Sequence, residues 1–162
     1  MENLRLIKID ERYIRFLRSR DEKVQDNKGR KRPYVGVVIT VGAFKYFVPM
    51  ESPKPNHAKM KPGKHLMKIR NGQLGLLGFN NMIPVRDEAV IEFDIDGEAD
   101  PKYRKLLREQ MDELNRNKAD VYDKASKTYY DVVNKKNRFL MNISCDFLTL
   151  EKACNEYRPK IK

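Results

Sequence analysis

Three prolines, Pro49, Pro53 and Pro55, fall within seven residues directly after an apolar, β-branched stretch. Each fixes φ and removes a backbone donor, so this backbone is expected to continue neither as a helix nor as a central strand. The segment Phe47-Val48-Pro49-Met50-Glu51-Ser52-Pro53-Lys54-Pro55-Asn56-His57 therefore reads as a strand running out into a stiff, shaped loop. That loop carries a hydroxyl, an ammonium and an imidazole on Ser52, Lys54 and His57. Rigid loops at strand ends often display catalytic groups, although proline-rich strand exits without such a role are also common.

The flanking pattern explains how the loop is delivered. Tyr34 to Val41 is β-branched, Gly42-Ala43 can turn the chain, and Phe44 to Val48 returns it, predicting a β-hairpin. Leu4 to Ile9 reads as a strand, and Asp10 as the cap of a helix to about Arg20 with Tyr13, Ile14 and Leu17 on one face. Beyond the loop, His65 to Ile69 and Gln73 to Leu77 suggest a second hairpin about Asn71-Gly72, with one more strand over Ala89 to Phe93. The periodicity then changes. Asp100-Pro101 opens a helix with Leu106, Leu107, Met111 and Leu114 on its apolar stripe; another spans Lys118 to Lys135, and Asp146 caps a last one to Tyr157. Strands first and helices later indicate one α+β domain of 162 residues, a twisted and largely antiparallel sheet covered on one side by helices.

Charge narrows the partner. The formal net charge is +11, and residues 1–70 hold 18 Lys/Arg against 7 Asp/Glu, so the excess resides entirely in that part of the chain. A one-sided positive field suits a polyanion, most commonly nucleic acid. The densest cluster is Lys28-Gly29-Arg30-Lys31-Arg32. Tyr13 and Tyr34 belong to the same basic part, where a tyrosine can stack on a base or bond a phosphate. No P-loop, dinucleotide fingerprint or HExxH motif is present. No apolar run approaches the roughly 18 residues of a membrane span, and the N-terminus lacks a secretory h-region, so cytoplasmic residence is expected. Cys145 and Cys154 read as reduced core thiols, and two Cys with two His at no recurrent spacing argue against zinc. Asp94 and Asp96, with Glu98 and Asp100, read as an exposed acidic loop rather than a Mg²⁺ site.

The order of several fragments is more specific than any of them alone. Tyr13-Ile14-Arg15-Phe16-Leu17, Arg32-Pro33-Tyr34-Val35-Gly36 and Tyr46-Phe47-Val48-Pro49-Met50-Glu51-Ser52-Pro53-Lys54 are followed by His57, Gln73-Leu74-Gly75-Leu76-Leu77 and Cys145-Asp146-Phe147. In that order they resemble the ToxN/AbiQ family, toxin endoribonucleases of type III toxin–antitoxin systems. The resemblance implies a fold similar to the MazF/Kid toxins, a highly twisted antiparallel sheet that is nearly a barrel, flanked by helices. It implies metal-independent, sequence-preferring RNA cleavage without a cofactor. The partners it implies are substrate mRNA and an antitoxin RNA of pseudoknot repeats, which assembles with the toxin into closed complexes. The family's cleft hydroxyl and lysine fall on Ser52 and Lys54, its early tyrosine on Tyr13, and its basic residue before the second strand on Arg32 or Lys31. Some members carry threonine before the cleft serine; here that position is Glu51, suited to pairing with a neighbouring cation.

The required chemistry agrees with these assignments. Metal-free cleavage needs an activated 2′-hydroxyl, neutralised charge on an in-line phosphoryl transition state, and a protonated 5′-oxygen. Lys54, Arg32 and Lys31 suit charge stabilisation, and Ser52 suits a hydrogen bond to a phosphate oxygen. Tyr13 suits substrate positioning or proton transfer. His57 serves either acid–base chemistry or the shape of its loop. Lys28, Arg30, Lys31, Arg32, Tyr34, Lys59, Lys61 and Lys64 are the expected RNA contacts. The competing reading is a basic RNA-binding module without catalysis, which accounts for the charge but not for a hydroxyl–lysine pair on a proline-fixed loop. No convincing helix-turn-helix supports a DNA-binding repressor.

Overall fold

A computed structural model describes residues 2–29, 31–61 and 63–159. The strands are β1 (Arg5–Ile9), β2 (Tyr34–Val41), β3 (Phe44–Glu51), β4 (Leu66–Lys68), β5 (Leu76–Gly78), β6 (Ile83–Pro84) and β7 (Val90–Glu92). They form one antiparallel sheet in the order β4-β5-β3-β2-β1-β7, with β6 also pairing β3. Among the described residues the sheet is open rather than nearly closed: its edges are the three-residue strands β4 and β7, which do not pair with one another.

The hairpin of β2 and β3 is the centre of the sheet. Tyr46 to Met50 are all buried, as expected of a strand covered on both faces. Gly36 lies opposite Phe47, and a Cβ there would come within 2.4 Å of the Phe47 ring, so the glycine makes room for the aromatic side chain. Contrary to the expectation that Pro49 excludes a central strand, it lies within β3 opposite Tyr34. The next residue, Met50, turns its N–H toward β2 and donates to Pro33 O at 3.0 Å. By strand alternation Pro49 faces the other side, between the stretch paired with β6 and the stretch paired with β5. A missing donor breaks no ladder bond at such a changeover.

The helices are α1 (Glu11–Arg20), α2 (Pro101–Arg116), α3 (Lys118–Val133), α4 (Arg138–Ile143) and α5 (Phe147–Glu156). Asp10, Asp100 and Asp146 cap α1, α2 and α5 through side-chain acceptance of first-turn N–H groups. Short α4, capped by Asn137, has no counterpart in the periodicity-based reading. Glu151 ties the layers together: Oε2 accepts from Tyr46 OH of β3 and Tyr129 OH of α3, both at 2.7 Å. Phe147 stacks on Tyr129 with ring centroids 5.5 Å apart.

The second hairpin forms, but Asn71-Gly72 is not a two-residue turn. Arg70, Asn71 and Gly72 follow one another at φ of 49°, 55° and 91° within a longer loop, which Ile69 N–H closes by donating to Gly75 O at 2.9 Å. The longer loop buries Ile69 and Leu74, which a tight turn would leave exposed. No helix among the described residues is long and apolar enough to cross a membrane.

Candidate active site

Antiparallel pairing of Tyr34 with Pro49 sets the start of β2 beside the end of β3. The basic loop that enters β2 and the proline-rich loop that leaves β3 therefore share one end of the sheet. Met50 N–H to Pro33 O is the link between them. On one side are Lys31, exposed, and Arg32, half-buried, whose Nε donates to Asp26 O at 2.7 Å. On the other are Ser52 and Lys54, both exposed and with no side-chain partner among the described residues. Asn27 holds the basic loop in place: its Nδ2 donates to Ile9 O at 2.8 Å, and its own carbonyl accepts from Lys31 and Arg32 N–H.

His57 is 1% exposed. Its Nδ1 accepts the Lys54 N–H at 3.2 Å, and its own N–H donates to Lys54 O at 3.0 Å. With Nδ1 an acceptor, the ring proton sits on Nε2, 3.5 Å from Glu51 Oε2. The imidazole thus braces the Glu51–Lys54 bend from inside. Of its two sequence-level roles, proton carrier and loop brace, this geometry carries the second, because both ring nitrogens face protein. Glu51 takes His57 as its partner.

The two tyrosines correct the reading further. Tyr13 is fully buried and its hydroxyl donates to Pro84 O at 2.6 Å; its ring packs edge-on against Tyr157, 4.9 Å away. Burial pushes its phenol far above the ordinary value. Tyr34 is also fully buried, its hydroxyl has no partner among the described residues, and burial raises its phenol against the opposing field of Arg32. A ring without exposed surface stacks on no base, so both residues are core members and neither touches RNA in this conformation. Both lie on apolar periodic faces, and that pattern outranks the basic setting that singled them out.

The remaining cations are dispersed. Lys28, Lys31, Lys59 and Lys61 are exposed and make no ion pair among the described residues, whereas Arg12, Arg15 and Arg20 of α1 are each paired with a carboxylate. Lys64 lines a separate groove of about 510 Å³ against α3, together with Asp123, Lys124 and Tyr130. Arg30 lies outside the described residues. No group of three metal-ligating side chains occurs among the described residues.

Beside the proline-rich loop is a hollow of about 200 Å³, lined in part by Gln25, Glu51, His65, Asn80 and Asn81. The β4–β5 hairpin supplies one wall by pressing Gly75 against β3. At φ of 103°, a Cβ on Gly75 would fall 1.9 Å from Glu51 O. Gln110 secures that hairpin from α2, its buried Nε2 donating to Leu74 O at 2.8 Å. His65 has its pKa lowered by burial and by the Lys124 charge, both of which favour the neutral ring. Of the wall residues the sequence reading singled out only Glu51, as a partner for a cation; Gln25, His65, Asn80 and Asn81 were not assigned to a site. Gly75 had a signal as a glycine inside a strand-like run, whereas the amides gather from segments far apart in the chain.

The sequence profile described as "Toxin ToxN, type III toxin-antitoxin system" matches residues 5–155. The chain is 35% identical to "Endoribonuclease ToxN" of Bacillus thuringiensis subsp. kurstaki, a similarity covering 98% of this chain and 87% of that relative. Its structure superposes at a TM-score of 0.86 and 34% identity on a toxin structure described in terms of selective inhibition by a non-coding RNA pseudoknot, covering 98% of this chain and 100% of the other. A second superposition, also at 0.86 and with 27% identity, is with AbiQ, described as a lactococcal anti-phage endoribonuclease of a type III system; it covers 96% of this chain and 98% of that one.

Proposed function

The chain belongs to the ToxN family of type III toxin–antitoxin systems, and from that premise we propose that it is an endoribonuclease acting at the shared end of β2 and β3. One observation carries the reading: an unengaged hydroxyl and ammonium, Ser52 and Lys54, lie on a braced loop beside Lys31 and Arg32. In-line attack forms the 2′-O–P bond and breaks the P–O5′ bond. It leaves a 2′,3′-cyclic phosphate, with one proton lost from the 2′-oxygen and one gained by the 5′-oxygen. No step requires a metal. Lys54 and Arg32 stabilise the charge that grows on the phosphoryl oxygens, Lys31 adds to their field, and Ser52 donates to one of those oxygens. His57 acts through Lys54 and Glu51 and is a positioning residue.

The same cationic end serves the inhibitor, a pseudoknot RNA derived from repeats, which joins toxin copies into a higher-order assembly. Such an RNA binds without bringing a 2′-hydroxyl into line with its phosphate. The test is cleavage of single-stranded RNA in excess EDTA. Loss of one such charge-stabilising group costs on the order of 10²–10³ in rate, so Lys54→Ala is expected to fall that far and Ser52→Ala less. Near-wild-type cutting by both folded variants removes the site. A wild-type protein that binds RNA tightly and cuts none points to the non-catalytic module.

A further inference from the structure

Three side-chain amides at the hollow are wired in a fixed direction. Asn81 Nδ2 donates to the backbone carbonyl of Lys23 at 3.0 Å, which makes Asn81 Oδ1 the acceptor. That oxygen receives Gln25 Nε2 at 2.9 Å and Asn80 Nδ2 at 3.2 Å. Asn80 Nδ2 also donates to Ile143 O at 3.2 Å. A carbonyl only accepts, so the Lys23 and Ile143 carbonyls set the polarity of the whole cluster. Gln25 Oε1 and Asn80 Oδ1 are left as acceptors without a partner among the described residues. The Asn80 oxygen lies over Gly78, 3.4 Å from where a Cβ would stand. Glu51 adds a carboxylate whose Oε2 is directed to His57, leaving Oε1 free.

The hollow is thus an acceptor-lined recess at the start of the loop that carries the exposed Lys54. A phosphate is repelled by such a lining, whereas a group rich in N–H donors is drawn to it. At about 200 Å³ it exceeds several-fold the ~30 Å³ share of a water molecule. Its rim is aromatic: the Phe139 ring, 62% exposed, packs edge-on against His65 with centroids 6.0 Å apart.

We propose that this hollow holds one unpaired RNA base and selects bases bearing an exocyclic amino group over uracil, through Gln25 Oε1, Asn80 Oδ1 and the Glu51 carboxylate. It deepens the RNA reading above, on which it rests. Adenine and cytosine point an amino group at the acceptors and guanine adds a ring N–H. Uracil opposes them with two carbonyl oxygens about a single N–H. Glu51 immediately precedes Ser52, so a phosphate held at Ser52 and Lys54 has the hollow within reach of its own or an adjoining base. His65 and Phe139 offer flat apolar surface to that base and its neighbour.

The test uses wild-type protein and fluorescent 2′-O-methyl oligo(A), oligo(C) and oligo(U), which lack the attacking hydroxyl and stay intact. Anisotropy should show A and C bound about tenfold tighter than U. Gln25→Met and Asn80→Ala should each lower A and C affinity about three- to tenfold, the worth of one hydrogen bond, and leave U unchanged. Gln25→Met keeps the Ile143 tie, so it decides the matter alone if Asn80→Ala fails to fold. Equal affinity for the three oligomers, or a preference intact in Gln25→Met, overturns the proposal. Base-selective binding by a protein that leaves unmodified RNA uncut overturns the endoribonuclease reading and keeps this one.

Discussion

Gly75 shows how one position supports the site without touching substrate. Its positive φ and the 1.9 Å approach of a would-be Cβ to Glu51 O exclude any side chain. The neighbour is backbone, which cannot rotate away. Gly75→Ala is therefore expected to cost about 3 kcal/mol from backbone strain and overpacking together, measured by urea denaturation. RNA cleavage should drop in the fraction that remains folded, because Glu51 and Ser52 must move; unchanged stability would contradict this close approach. At this scale the sequence was legible for Ser52 and Lys54, whose prolines announce an exposed, stiff loop. It was misleading for Tyr13 and Tyr34, since local charge says nothing about which way a ring points. For His57, only the return of the chain onto its own Lys54 N–H distinguishes a brace from a proton carrier.

Among the elements, α5 is tied to the central strand by the Glu151 carboxylate and by Phe147, which packs edge-on against Tyr46. Glu151 accepts from Tyr46 and Tyr129, and Tyr46 is fully buried. Glu151→Ala leaves a buried hydroxyl without an acceptor, and a loss of about 3 kcal/mol is expected, whereas Glu151→Gln, which retains an oxygen, should lose about 1 kcal/mol. Chemical denaturation that finds the two variants alike would refute the hydroxyl account. Most strands and helices were readable from period and caps, the Asp10, Asp100 and Asp146 caps above all. Pro49 was misjudged because its tolerance depends on which strand lies beside it. Asn71-Gly72 was misjudged because Ile69 and Leu74 find a core that local turn chemistry does not reveal. Short α4 has too few residues to establish a periodicity.

For the whole molecule, the +11 charge and its confinement to residues 1–70 predict a steep salt response. Neutralising four to five phosphates of a single strand at about −0.7 each gives a log–log slope near −3 for RNA binding. Lys31→Ala should make that slope shallower by about 0.7, and a nearly flat wild-type response would contradict an electrostatic footprint. The sequence by itself determined the α+β class, the cationic half and the loop bearing Ser52 and Lys54. These are local or additive properties: period, proline content and summed charge. Only the tertiary structure decided that the two basic-half loops meet, that Tyr13 and Tyr34 turn inward, and that Gln25, Glu51 and Asn80 converge on one hollow. Those facts come from pairing between distant segments, which follows from the packing of the whole sheet and from no single stretch of chain.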